Sequence, residues 1–213
     1  MTAFCRLLLL GLVRLLVGAY ADWRGSPPER RQRIYYANHT SHFDTLVMVA
    51  ALPPELRAET HPVAALDYWG ASPLRRFIAV NCLDAVLIDR SGQTGGDPLE
   101  GPAALLARGH SLILFPEGTR GDAVIGSFKS GLYRLACRFP AAELVPVYLD
   151  NPGRVMPKGS FVIVPLICTA RFGAPLARKS DEDKTAFLVR AREALIALGD
   201  AARPLVSSVG QAA

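Results

Sequence analysis

Seven consecutive residues, Asn38-His39-Thr40-Ser41-His42-Phe43-Asp44, gather two imidazoles, two hydroxyls, a carboxamide and a carboxylate where a short strand gives way to an amphipathic helix. A strand-to-helix turn leaves side chains exposed at the edge of a sheet, where α/β enzymes place their sites. Ser41 or Thr40 can cap the helix, and Asp44 falls within its first turn. A chain that turns between His39 and Asp44 can bring the carboxylate back to the imidazole. The carboxylate then fixes the tautomer and leaves the other ring nitrogen free as a base. This is the logic of a Ser-His-Asp triad with the enzyme's own nucleophile missing, so the attacking oxygen has to come from the substrate. The same residues also read as a polar helix cap with incidental histidines, and spacing alone does not separate the two readings. A metal site on His39 and His42 lacks a third ligand at a recognisable spacing.

A second cluster begins where the buried run Leu112–Phe115 stops at Pro116. Glu117-Gly118-Thr119-Arg120 follows, an acid and a base on a glycine-containing turn. Gly118 permits close backbone approach, Arg120 offers a planar fork to a phosphate or carboxylate, and Glu117 can orient a basic group or bind a hydroxyl. An ordinary turn with a surface ion pair is the competing reading. Val86-Leu87-Ile88-Asp89-Arg90 ends another strand with a charged pair, and Phe128-Lys129-Ser130-Gly131 opens a helix. Alone, each of these two is structural.

The elements that must position these groups are legible as alternating patterns. Strand-like runs are 34–37, 62–66, 85–88, 111–115, 144–149 and 161–172, and helical patterns cover 41–52, 73–80, 98–108, 129–138 and 181–198. The last opens on a capping signal, Ser180 with Asp183, and stacks Phe187, Ala191 and Leu195 on one face. The expected fold is a single α/β domain with a mostly covered sheet flanked by helices. Its expected divisions are an N-terminal membrane-associated helix over 1–24, the folded domain over 25–203, and a flexible tail over 204–213. Ser26-Pro27-Pro28 and the charged run after it form the linker between the first two.

The apolar N-terminus carries Arg6 and Arg14, which lie about 80° apart around a helix. A helix lying in the membrane interface, arginines snorkelling toward phosphates, is the leading expectation. A spanning helix, a signal peptide and an ordinary buried helix are the alternatives. The formal net charge of +5 suits anionic headgroups or an acidic carrier protein, while the scattered basic residues form no nucleic-acid stripe. Cys5, Cys82, Cys137 and Cys168 are too dispersed for a disulfide framework or a zinc site, and buried thiols are expected.

Taken together, NHTSHFD at Asn38–Asp44, VLIDR at Val86–Arg90, FPEGTR at Phe115–Arg120 and VPV at Val145–Val147 resemble the glycerolipid acyltransferase family, which includes the lysophosphatidic acid acyltransferases. All four blocks stand in family order, and the likeness covers about residues 34 to 175. The resemblance implies His39 as general base with Asp44 as its orienting partner, and Arg90, Glu117, Gly118, Thr119 and Arg120 in acceptor binding. It implies an α/β domain with a mixed sheet, no metal and no bound cofactor. An acyl thioester on coenzyme A or acyl carrier protein serves as co-substrate, a lyso-lipid as acceptor, and the cytoplasmic face of the inner or plasma membrane as the place of work. One departure stands out. Many members that take a phosphate-bearing acceptor carry a lysine where this chain reads Val63-Ala64-Ala65-Leu66-Asp67-Tyr68-Trp69. An acceptor without a terminal phosphate, such as a lyso-aminolipid, is therefore a second expectation. A non-catalytic lipid-binding protein and an acyl hydrolase are the readings from other classes.

Overall fold

Seven short apolar segments pair side by side in the order β1-β7-β6-β2-β5-β3-β4. They are β1 (Tyr20–Trp23), β2 (Arg33–Ala37), β3 (Thr60–Ala65), β4 (Val86–Ile88), β5 (Ser111–Leu114), β6 (Glu143–Asp150) and β7 (Thr169–Phe172). The computed structural model describes residues 2–41, 43–90, 95–121, 124–155, 166–179 and 181–201. Every pairing is parallel except that of β6 with β7, so the sheet is mixed, as expected.

Both faces of the sheet are covered. Tyr35 and Ala37 of β2, with Val145 and Val147 of β6, point into one apolar layer; Ile34, Tyr36 and Leu144 point into the other. A strand buried on both faces reads as a continuous apolar run, which is why the central strands were legible. The first layer holds helices α1 (Thr2–Val17) and α2 (Phe43–Ala51). The second holds α6 (Glu100–Ala107), α7 (Gly131–Arg138) and α9 (Lys184–Asp200). Short helices α3 (Pro54–Arg57), α4 (Leu66–Trp69), α5 (Pro73–Phe77) and α8 (Pro152–Val155) fill connections, and α5 runs on into a π-helical turn, Ile78–Cys82.

Several expectations are corrected. The segment 1–24 is not helical throughout: the helix stops at Val17, Gly18 and Ala19 turn through positive φ, and Tyr20–Trp23 joins the sheet as β1, parallel to β7. Four residues are too few to announce a strand by alternation. Arg6 and Arg14 are tied back to the fold: Arg14, though exposed, donates to the Ala50 carbonyl and Arg6 to that of Arg57. Helix α9 is capped by Asp183, whose carboxylate accepts from the Ala186 N–H at 2.9 Å; Ser180 lies outside the described residues. Of the strand expected over 161–172, residues 169–172 are strand and 166–168 are not, while 161–165 lie outside the described residues, as do His42 and the tail from 202. Cys82 and Cys168 are buried thiols, whereas Cys137 is exposed.

Candidate active site

The ends of β2 and β5 lie side by side, because Tyr36 pairs with Leu114. The turns that leave those two strands carry the two sequence clusters, so parallel pairing brings His39 and Glu117 together across 78 residues of chain. The sheet's carboxyl edge is where the site lies.

Asp44 occupies the first turn of α2 and is wholly buried. Its Oδ2 accepts the backbone N–H groups of Thr40 at 2.6 Å and Ser41 at 2.8 Å, as the carboxylate of a helix first turn does with otherwise orphaned donors. The same oxygen lies 2.8 Å from His39 Nδ1. An oxygen that already accepts from two N–H groups acts as an acceptor toward the ring too, so Nδ1 carries the hydrogen and Nε2 the lone pair. The ring stacks on Phe115, with centroids 4.4 Å apart and planes 25° apart, which fixes its tilt. Asn38 is buried one residue earlier and grips Leu149 of β6 through both ends of its carboxamide, at 2.7 and 3.1 Å. That clamp holds the strand end from which His39 projects.

Glu117 is placed differently from the acceptor-binding expectation. Its side chain is buried, with Oε1 accepting the His39 backbone N–H at 2.8 Å and Oε2 the Gly126 N–H at 2.8 Å. It therefore fixes the backbone of the histidine and stands behind the groove. The Gly121 N–H donates to the His39 carbonyl at 2.9 Å, completing a two-ended tether. Gly118 has φ +74°, which favours glycine at this turn; a Cβ there would also lie 3.2 Å from Lys129 Cγ, so that side chain would have to shift slightly. Arg90 donates to both carboxylate oxygens of Asp67, at 3.0 and 2.8 Å, and also to the Gly118 carbonyl. It ties α4 to the Gly118 turn. The hydrogen bond from Arg90 holds the Asp67 carboxyl below the usual carboxylate range.

His39, Arg90, Gly118, Thr119 and Arg120 line a groove of about 810 Å³. Its walls are part apolar, through Val63, Ile88, Leu114 and Leu132, and part basic, through Arg120 and Lys129. Nδ1 is held by a buried carboxylate, so the edge of the ring left toward the groove carries Nε2. The arrangement can remove a proton from a hydroxyl lying in the groove. A side-chain nucleophile is not supplied by the neighbouring thiol: burial, then the Asp44 and Asp150 carboxylates, pushes Cys168 up to about 12, so it stays protonated. Among the described residues no cluster of three or more His, Cys, Asp or Glu could hold a metal ion.

The positions of Asn38 and Glu117 as braces were not readable from the sequence, since each depends on a partner brought in by another strand. The fold matches the crystal structure of the 1-acyl-sn-glycerophosphate (LPA) acyltransferase PlsC from Thermotoga maritima with a TM-score of 0.70, covering 96% of this chain and 84% of that one. At 19% identity that likeness concerns the fold. The chain is 27% identical over 175 residues to a 1-acyl-sn-glycerol-3-phosphate acyltransferase of Limnanthes alba, covering 78% of this chain and 58% of the relative. It is 30% identical over 142 residues to the chloroplastic 1-acyl-sn-glycerol-3-phosphate acyltransferase LPAT1 of Arabidopsis thaliana, covering 63% of this chain and 36% of the relative. The chain thus spans 58% and 36% of the length of these two relatives. The Acyltransferase family model matches residues 25–168, a span that takes in the dyad, the groove-lining turns and the central strands, and by that match the chain belongs to the Acyltransferase family.

Proposed function

We propose that this chain moves a fatty acyl group from a thioester donor, on coenzyme A or acyl carrier protein, to the free hydroxyl of a lyso-lipid, foremost 1-acylglycerol-3-phosphate, giving phosphatidate. The observation that carries this reading is the 2.8 Å contact between His39 Nδ1 and the buried Asp44 carboxylate, with the imidazole lining the groove. His39 Nε2 takes the proton of the acceptor hydroxyl as its oxygen attacks the thioester carbonyl. The C–O bond forms, the tetrahedral oxyanion collapses, the C–S bond breaks, and the leaving thiolate takes the proton back from the imidazolium. The apolar wall of the groove suits an acyl chain, and Arg120 with Lys129 suits the acceptor phosphate. The names of the plant relatives support the same acceptor.

A second acceptor class has one specific observation in its favour. Ala64 and Ala65 line the groove in the segment where phosphate-accepting members of the family carry lysine, so a lyso-lipid without a terminal phosphate is the alternative substrate.

The same reading puts the protein on the cytoplasmic face of a membrane, held by the outer face of α1. Phe4, Leu7, Leu8, Leu12 and Leu15 are exposed on that helix. With 16 residues α1 is about 24 Å long, short of the roughly 30 Å hydrocarbon core, and no helix among the described residues is long and apolar enough to cross a membrane. An in-plane attachment fits those dimensions.

The test offers the purified chain a panel of lyso-lipids with acyl-CoA and with acyl carrier protein thioester, and identifies the product by mass. The expected product is phosphatidate, and His39→Ala is expected to lower turnover by about 10³-fold while leaving the melting temperature near that of the unaltered protein. Near-normal transfer by that variant overturns the mechanism. Free fatty acid with no acylated acceptor would make the protein a hydrolase instead.

A further inference from the structure

Arg192 donates to the Ile125 and Gly126 carbonyls, but several other arginines meet carboxylates: Arg33 reaches Glu143, Arg171 reaches Asp150, and Arg190 reaches Glu182. Three arginines on the α1 side of the sheet do not. Arg14 donates through Nε and Nη2 to the Ala50 carbonyl, at 3.0 and 2.6 Å. Arg57 Nη2 lies 3.5 Å from the same carbonyl and donates to that of Leu52 at 2.6 Å, while Arg6 Nη2 donates to the carbonyl of Arg57 itself at 3.1 Å. Among the described residues, none of the three lies within ion-pair distance of a carboxylate.

Their gathering point is the carboxyl end of α2. Its free carbonyls explain part of the cluster, because a helix C-terminus presents about half a negative charge and welcomes a cation. Half a charge does not balance three guanidiniums. The excess shows on Arg57: burial first, then Arg14 and Arg6, lower its guanidinium to about 10, with Glu55 opposing weakly. Arg57 Nε is, in addition, a buried donor with no acceptor. An anion beside the cluster would offset the excess positive charge. Arg6 and Arg14 belong to the helix whose other face exposes Phe4, Leu7, Leu8, Leu12 and Leu15. A helix lying in the interface on that face carries Arg14, exposed at its edge, near the depth of lipid phosphates, with half-buried Arg6 and Arg57 behind it.

We propose that Arg6, Arg14 and Arg57 form a binding site for the phosphate of an anionic membrane phospholipid, separate from the acyl-transfer groove. The lipid phosphate accepts from the accessible N–H groups of exposed Arg14 and half-buried Arg6 and Arg57, and it joins α1 to the end of α2. This site rests on the membrane-surface reading above, and the test separates the two.

The full chain is treated with phenylglyoxal, which modifies accessible arginines, and the modified residues are mapped by peptide mass. The arms are phosphatidylcholine vesicles, vesicles of phosphatidylcholine with phosphatidylglycerol, and inorganic phosphate without vesicles. Anionic vesicles are expected to slow modification of Arg14 and Arg57 about tenfold relative to neutral ones, and inorganic phosphate to leave it unchanged. Equal protection by neutral vesicles overturns the site and leaves membrane attachment standing. Equal protection by inorganic phosphate overturns the assignment to a lipid. A chain that sediments with neither kind of vesicle overturns the membrane reading and the site with it. A variant pair then tests specificity at matched charge. R6Q/R14Q is expected to weaken binding to anionic vesicles about tenfold, and R108Q/R138Q, just past α6 and at the end of α7 in the opposite layer, by no more than about twofold. Equal losses mean diffuse attraction and overturn the site. Should R6Q/R14Q fail to fold, the modification experiment on the unaltered chain still decides.

Discussion

An imidazole works as a base only while one nitrogen is free and the other is held, and in this chain the holding is done by a carboxylate that water does not reach. Asp44 has 0% exposure and three hydrogen-bond donors on one oxygen, so its orientation is fixed by the turn of α2 and not by solvent. Asp44→Asn keeps the shape but replaces an acceptor oxygen with an amide group that can donate, which reverses the preferred tautomer of His39. The expected outcome, by analogy with the same exchange in serine proteases, is a fall in kcat of about 10²–10⁴-fold with acceptor KM little changed, read by steady-state kinetics. Glu117→Gln makes the complementary case. One of its two backbone donors, His39 N–H or Gly126 N–H, would face an NH₂ group, costing about 1–3 kcal/mol, so the melting temperature and kcat should both drop. A variant with unchanged stability would show that Glu117 does not brace the histidine. The dyad was legible because His39 and Asp44 lie on one local turn. The bracing by Glu117 was not, because its partners come from two other segments of the chain.

At the scale of elements, α1 has two faces with different duties. Leu10, Val13 and Val17 are buried against α2, itself buried on nearly all sides, so α1 is part of the core that holds Asp44 in place. The outer face, where Leu7 is 74% and Leu12 52% exposed, contributes nothing to that core. Removing the helix would strip the cover from α2, so truncation confounds folding with attachment. Two substitutions separate them. L7E/L12E should leave the melting temperature within a few degrees and release the protein from neutral vesicles in a flotation assay. Leu10→Ala should cost about 2–4 kcal/mol of stability without weakening vesicle binding by the folded fraction. If L7E/L12E still floats with vesicles, the outer face of α1 is not the attachment surface. The apolar stripe of this helix could be read from its sequence. The tethering of Arg6 and Arg14 could not, since their acceptors are the carbonyls that α2 and α3 leave free.

For the whole molecule, the question is what keeps two sequence-distant turns at one sheet edge, and the answer lies at the opposite edge. β2 is paired with β5 on one side and β6 on the other, so His39 inherits its position from both neighbours. At the start of β2, Arg33 is a buried cation whose Nε donates to Glu143 at the start of β6, at 2.9 Å, and whose Nη1 donates to the Pro27 carbonyl at 2.9 Å. Continuous apolar runs made these strands legible as strands, while neither their order nor this pin appears in any local pattern, because the partners are 110 residues apart. Burial works to raise the Glu143 carboxyl, but hydrogen bonds from Arg33 and Arg31, with their charges, outweigh it and hold the group below the usual carboxylate range. A carboxyl depressed in the folded state stabilises the fold above its ordinary pKa of about 4.3, and that contribution disappears as pH falls through the lowered value. Glu143→Gln removes it and leaves Arg33 buried with one partner fewer. The expected loss is about 2–3 kcal/mol at pH 7, below the range for a fully buried pair because Glu143 keeps 23% exposure. In denaturant titrations from pH 7 downward, the gap between the unaltered protein and the variant should stay constant to about pH 5 and then narrow, since protonation removes from the former what the substitution removed from the latter. A gap that stays constant down to pH 3 would mean that the ion pair does not set the acid limit, and that shape and packing alone join β2 to β6.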